Sequence, residues 1–527
     1  MTASVGAIQL QAMLQDGEEL ALLDVREAGE FGHSHLLFAV PLPYSRLELD
    51  IGRLVPRRSV RVVLCDDGAS GVAHLAARRL AAIGYTNVSV LDGGTRAWAA
   101  AGCTLYSGVN VPSKVFGELV ELAYHTPHID SQALARMQKA GEDMVVVDGR
   151  PFAEYRKMNI PGGICCPNAE LPYRIREIVK RPTTRIVVNC AGRTRSILGA
   201  QTLINFGIPN PVCALENGTQ GWVLSDLELE RGADRRYPDS VDAAHLPELK
   251  AAARRLAQRH GVKLASADEV NTWLRDGKRT VYVCDVRTPE EFAAGTLRGA
   301  LHAPGGQLIQ ATDQWIGVRN ARIVLIDNDG VRAPVVASWL AQMGCDVRVL
   351  AEGIDAPLAV PSAAVPQLPE LKPITAAELA AQLPAHRFPI IDLRASTRFR
   401  AAHIPGSRWS IRSRVAADAR AAGQAVVLVA DDVNIARAAA IDLAQAGMGG
   451  AQLLDGGFDA WSRAGFASEA SPDSPPDADC IDYLFFVHDR HAGNRAAMRQ
   501  YLEWETGLVA QLDAGERASF RLPPHAA

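Results

Sequence analysis

The residue best placed to do chemistry is Cys190, in the stretch "RIVVNCAGRTRSILGAQ" from Arg185 to Gln201. Strand-forming residues end at the cysteine, and a short loop with Gly192 follows. Ile197, Ala200, Leu203 and Ile204 then fall at helical spacing. In such a strand–loop–helix, backbone N–H groups and the positive end of the helix face the sulfur and favour its thiolate. Arg193 and Arg195 are expected to stabilise that thiolate and to attract a small anionic substrate. The amides of Ala191, Gly192, Arg193, Thr194, Arg195 and Ser196 are expected to form an anion cradle. Gly192 is expected to let the loop take backbone angles that other residues avoid.

The elements that must position this loop recur four times. An apolar run ends in Asp-x-Arg at Asp24 and Arg26, Asp148 and Arg150, Asp285 and Arg287, and Asp392 and Arg394. Glu and an aromatic follow in the first three copies, as Glu30-Phe31, Glu154-Tyr155 and Glu291-Phe292; the fourth has Arg398 instead of Glu. A second apolar run then enters a helix that closes at Gly84, Gly207, Gly344 or Gly447, each a candidate left-handed C-terminal cap. Seventeen residues separate Cys190 from Gly207, Asp327 from Gly344 and Ala430 from Gly447, whereas nineteen separate Cys65 from Gly84. The copies close with "SVLDGGTRAW", "CALENGTQGW", "RVLAEGIDA" and "QLLDGGFDAW". Short apolar runs alternating with helices predict four α/β domains, each with a small, mainly parallel sheet flanked by helices. The boundaries read as 1–105, 106–235, 236–358 and 359–467, with linkers near 103–130, 230–262 and 356–372. Residues 468–527 read as a linker and helical tail, with one helix around Asn494–Leu512 too apolar to stay free of a domain.

These motifs together resemble the rhodanese (thiosulfate sulfurtransferase) superfamily, over nearly the whole chain up to about Ala467. The resemblance rests on the Asp-x-Arg-x-x-x-Glu segments, the "NIPGG" and "HIPGS" turns, the Cys loop "CAGRTRS" and the closing Gly-Gly and Trp elements. It implies that Cys190 attacks the outer sulfur of thiosulfate, releases sulfite and holds a persulfide. The persulfide would pass to cyanide or a thiol, with a protein thiol as a further acceptor, and no metal or organic cofactor is needed. Rhodanese-like phosphatases resemble Cys-x5-Arg enzymes, but the Arg slot six residues after Cys190 holds Ser196, which favours sulfur transfer. A non-enzymatic, persulfide-carrying or regulatory scaffold is the other alternative.

The remaining copies carry less. Asp327 and Ala430 stand at the cysteine position of the third and fourth, which are expected to be inactive. Cys65 is flanked by Asp66 and Asp67, which oppose a thiolate. Because the Asp-x-Arg pairs persist where the cysteine is lost, Asp148 and Arg150 are read as support. Cys165 and Cys166 read as small turn residues, and "HDRH" from His488 to His491 as a poor metal site.

Composition sets the outer bounds. Of 527 residues, 48% are apolar and 22% charged, as in globular proteins. A net charge of -4 offers no general field for nucleic acid or anionic lipid. The N-terminus has no secretory-signal pattern, and no apolar run approaches the ~18 residues of a membrane helix. Nine irregularly spaced cysteines argue against a disulfide framework and for the cytoplasm.

Overall fold

The structure, a computed structural model, describes residues 2–383, 389–420, 426–490 and 493–523. It contains four five-stranded sheets, each with its strands in the order 1-5-4-2-3. In the second sheet these are His128–Ile129, Val212–Leu215, Arg185–Asn189, Met144–Asp148 and Ile164–Cys165, all paired in parallel. Parallel strands covered on both faces need near-continuous apolar runs, which "MVVVD" and "RIVVN" supply. Val147, Ile186 and Val188 are buried against Ala200 and Leu203 of the helix Thr194–Phe206. Of the apolar positions in this helix, only Ile204 is exposed.

The local signals correspond to particular geometry. Gly84, Gly207, Gly344 and Gly447 have φ of 95°, 86°, 89° and 79°, the left-handed conformation that ends a helix without Cβ strain. Each Asp-x-Arg pair forms the same bracket. Arg150 Nε and Nη2 meet the two carboxylate oxygens of Asp148 at 2.9 and 2.7 Å, and Nη2 reaches the Met158 carbonyl at 2.6 Å. Arg26, Arg287 and Arg394 repeat the bracket, reaching the carbonyls of Ser34, Gly295 and Ala402. It ties the end of a central strand to the turn that starts the return.

The chain divides into two compact units. One holds Met1–Gln11, Leu22–Val109 and Ala363–Phe485; the other holds Ala12–Ala21, Asn110–Ser362 and Phe486–Ala527. Two segments expected as linkers are partly helical. Residues 103–130 contain the helix Val111–Tyr124, which buries Val111, Val115, Phe116 and Val120, and residues 230–262 contain the helix Leu246–Arg259. In the latter, Leu249, Ala253 and Leu256 pack on Phe206, Val331 and Val335. An amphipathic stripe outside the repeat is still a helix when neighbouring domains cover it. The tail forms the helix Arg495–Gly507, with Ala497, Met498, Tyr501 and Leu502 buried, and a short turn Val509–Gln511.

Candidate active site

Cys190 follows the strand Arg185–Asn189, and the helix starts at Thr194. Register places Asp148 opposite Asn189, so the bracket sits beside the thiol at the carboxyl end of the sheet, where open α/β sheets bind ligands. Asn189 Nδ2 donates to Asp148 Oδ2 at 2.9 Å, and Gly149 N donates to the Asn189 carbonyl at 2.9 Å. The closing "NGTQGW" element pins the loop from the other side. Thr219 N donates to the Cys190 carbonyl at 2.9 Å, and Gln220 N and Nε2 donate to the Ala191 carbonyl at 3.1 and 3.0 Å. Gly218 has φ 52°, and a Cβ there would stand 2.3 Å from the Cys190 carbonyl oxygen, so this approach requires glycine.

These contacts occupy the loop carbonyls and leave its amides. Thr194 N reaches Glu505 Oε1 at 3.4 Å. The amides of Ala191, Gly192, Arg193, Arg195 and Ser196 meet no acceptor among the described residues, and the buried Ser196 hydroxyl has no partner. Cys190 itself is only 2% exposed.

The two arginines differ from the sequence expectation. Arg193 is not a free anion-binding group: Nε and Nη2 meet Glu118 at 2.8 and 2.9 Å, and Nη2 also meets Glu121, both on the helix Val111–Tyr124. Arg195 makes a two-pronged pair with Glu154 at 2.8 and 2.9 Å and reaches Gln307 Oε1 at 3.4 Å. Burial opposes its charge, but Glu154, then Cys190 and Asp148, hold the Arg195 pKa above its usual value. The Glu of the Asp-x-Arg-x-x-x-Glu segment therefore anchors the loop arginine. Gly192 also departs from expectation, because it has no positive φ. What it supplies is room: a Cβ there would lie 3.1 Å from Glu505 Oε2 and 3.3 Å from both Gln220 Nε2 and Tyr501 Cε1. Sequence reasoning did not single out Glu118, Glu121, Gln307 or Glu505, which arrive from distant segments.

The three other loops place their own carboxylates on amides at the loop and helix start, four amides in the first, four in the third and one in the fourth. In the first, Asp66 accepts from Gly68 N and Ala73 N at 2.8 and 3.0 Å, and Asp67 from Ala69 N and Ser70 N at 3.1 and 2.7 Å. In the third, Asp327 accepts from Gly330 N and Ala333 N at 2.9 and 2.8 Å, and Asp329 from Val331 N and Arg332 N at 2.8 and 3.0 Å. In the fourth, Asp432 accepts from Asn434 N at 2.9 Å. Burial and then Asp24 push the Cys65 thiol well above its ordinary pKa, with Arg26 offsetting only part of that rise. Burial likewise pushes up Cys165, with Asp148 adding to it, and Cys166, with Glu170 adding to it. His491 lies outside the described residues. Among those described, no cluster of three or more His, Cys, Asp or Glu could hold a metal ion, and no helix is long and apolar enough to cross a membrane.

Comparison with known proteins agrees with the repeat. Residues 7–101, 130–225, 266–358 and 375–464 each match the Rhodanese-like domain family. The structure of a thiosulfate sulfurtransferase from Pseudomonas aeruginosa is similar over 99% of both chains, with 42% identity and a TM-score of 0.90. An HTH-type transcriptional regulator from Mycobacterium tuberculosis is 33% identical over 106 residues, or 20% of this chain. The match spans 46% of that regulator's length. With the family matched in each of the four repeats and the fold shared over nearly its full length with a solved relative, the chain belongs to the rhodanese-like family and carries four such domains in tandem.

Proposed function

We propose that the chain is a thiosulfate sulfurtransferase with one working site, in residues 106–235, and that Cys190 is its nucleophile and sulfur carrier. The observation that carries this reading is the Cys190 loop: alone among the four, it combines a thiol with amides that no carboxylate of its own loop occupies. The activity named for the Pseudomonas aeruginosa relative supports it.

The Cys190 thiolate attacks the outer sulfur of thiosulfate. A bond forms between Sγ and that sulfur, the S–S bond of thiosulfate breaks, and its electron pair leaves with sulfite. The remaining Cys190 persulfide anion lies among the amides of Ala191 to Ser196, with Arg195 as the neighbouring cation. A nucleophilic acceptor, either cyanide or a thiol including one on a protein, takes the outer sulfur and returns the Cys190 thiolate. Splitting one transfer into two covalent steps gives ping-pong kinetics. The Asp148–Arg150 bracket acts as support by fixing the strand end beside the loop.

Residues 1–105, 236–358 and 359–467 act as inactive rhodanese-like domains, and residues 468–527 as linker and tail. The third supports the site directly, through Gln307 on Arg195 and Gln310 Oε1, which accepts from Lys114 Nζ at 3.3 Å. The cytoplasm suits a catalyst that needs a free thiol. The test is an initial-rate matrix of thiosulfate against cyanide with thiocyanate as the measured product. Parallel double-reciprocal lines that vanish in Cys190→Ser are expected. Intersecting lines, or turnover surviving that substitution, would overturn the reading.

A further inference from the structure

Every one of the four loops presents amides at a helix start, and each draws in a carboxylate. In three loops that carboxylate belongs to the loop itself and cannot leave. The segment from Ala191 to Ser196 contains no acidic residue, and its carboxylate comes from Glu505, 311 residues along the chain from Thr194.

Glu505 lies on the tail helix Arg495–Gly507 and is fully buried. Its Oε1 accepts from Thr194 Oγ1 at 2.6 Å and from Thr194 N at 3.4 Å, with Lys114 Nζ at 3.6 Å. Its Oε2 is buried without a hydrogen-bond partner, beside Gly192 in the cysteine loop. A buried carboxylate oxygen lacking a partner is costly, and one placed among donors suited to an anion is a competitor for them. The helix that brings it in is seated by the buried Ala497, Met498, Tyr501 and Leu502 and by polar contacts at its start. Asn494 caps it by accepting from Ala497 N at 3.1 Å, and Arg495 donates to the Val223 and Leu224 carbonyls at 2.9 and 3.0 Å.

We propose that Glu505 is the chain's own anion in the Cys190 cradle, a carboxylate that an anionic sulfur donor must displace, so that the tail helix selects which donors load the thiol. This rests on the reading of Cys190 as nucleophile. A donor anion takes the Thr194 donors, and the released carboxylate recovers its hydration. A neutral reagent has no such competition and needs only access. Glu505 is thus a specificity-determining residue that makes loading by anionic donors, thiosulfate included, harder relative to neutral ones.

The test compares alkylation of Cys190, located by peptide mass, by anionic iodoacetate and neutral iodoacetamide. In Glu505→Gln the iodoacetate rate is expected to rise on the order of 10-fold, because a like charge facing the reagent is removed, while iodoacetamide changes far less. The KM for thiosulfate should fall in parallel. Asn494→Ala, which frays the start of the helix without touching the cradle, should speed iodoacetate a few-fold more than iodoacetamide, and that difference decides the matter if Glu505→Gln does not fold. Equal acceleration of the two reagents would overturn the proposal. Unchanged iodoacetate rates in the variants, or a raised KM in Glu505→Gln, would overturn the proposal and make Glu505 a brace. Alkylation needs only the thiol, so failure of thiosulfate as donor is read separately. If no persulfide forms although iodoacetate is accelerated, the competing carboxylate stands and the donor assignment falls.

Discussion

At the residue scale the two loop arginines carry unequal weight. Arg193 is paired with Glu118 and Glu121, whereas Arg195 is paired with Glu154 and has Cys190 next among the groups that favour its charge. The Glu154 side chain that pairs with Arg195 is 37% exposed, so it can turn to water if the arginine is lost. Arg195→Ala is therefore expected to cost only about 1–2 kcal/mol of stability, well below the loss from a fully buried pair. Its kcat/KM for thiosulfate should fall about 10- to 100-fold, as when a charge-stabilising donor is removed, with Arg195→Lys intermediate. A stability loss with unchanged kinetics would assign Arg195 to structure alone. The cysteine and its loop were legible in sequence because strand, loop and helix are contiguous. The partners of Arg193 were not: Glu118 and Glu121 sit more than 70 residues away, on a helix in a segment that reads as a linker.

At the scale of elements, four copies of one strand–loop–helix differ chiefly in how their amides are satisfied. Spacing alone located the closing glycines, since a left-handed helix end is a local requirement. Spacing also located the Asp-x-Arg brackets, whose partner carbonyls lie only eight residues on. The nineteen-residue spacing of the first copy corresponds to its helix starting at Val72 after the loop that follows Cys65. The third copy differs from the second in more than its missing thiol. Asp329 holds the amides of Val331 and Arg332, and Arg332 is committed to Glu291. Restoring a thiol by Asp327→Cys in a Cys190→Ser background is thus expected to yield no persulfide, as read by intact mass after thiosulfate. Sulfur uptake by that variant would show that residue identity, not cradle occupancy, decides activity.

At the scale of the whole molecule, each compact unit joins two rhodanese-like domains through a buried arginine. In the unit holding Cys190, Arg332 of the third sheet's domain reaches Glu170 at 2.9 Å. In the other, Arg412 meets Glu48, the Tyr44 carbonyl at 3.0 Å and Asp442 at 2.7 Å. Such pairings between domains are invisible to a repeat-by-repeat reading, because the repeat aligns copies and not the surfaces between them. Arg412→Ala leaves Glu48 buried with Arg79 alone, at a cost of about 3 kcal/mol, or on the order of 5–10 °C in the melting of that unit. Sulfur loading of Cys190 should be unchanged, since the groups identified around it belong to the other unit. An unchanged melting curve would show the contact to be dispensable.

The most direct test is intact-mass spectrometry of the reduced chain after incubation with thiosulfate, on wild type, Cys190→Ser and Cys65→Ser, with released sulfite measured alongside. One added sulfur in wild type and Cys65→Ser, none in Cys190→Ser, and sulfite equal to the sulfur bound is the predicted result. An added sulfur that persists in Cys190→Ser, or none in the wild type, would contradict Cys190 as the single thiosulfate-loaded carrier.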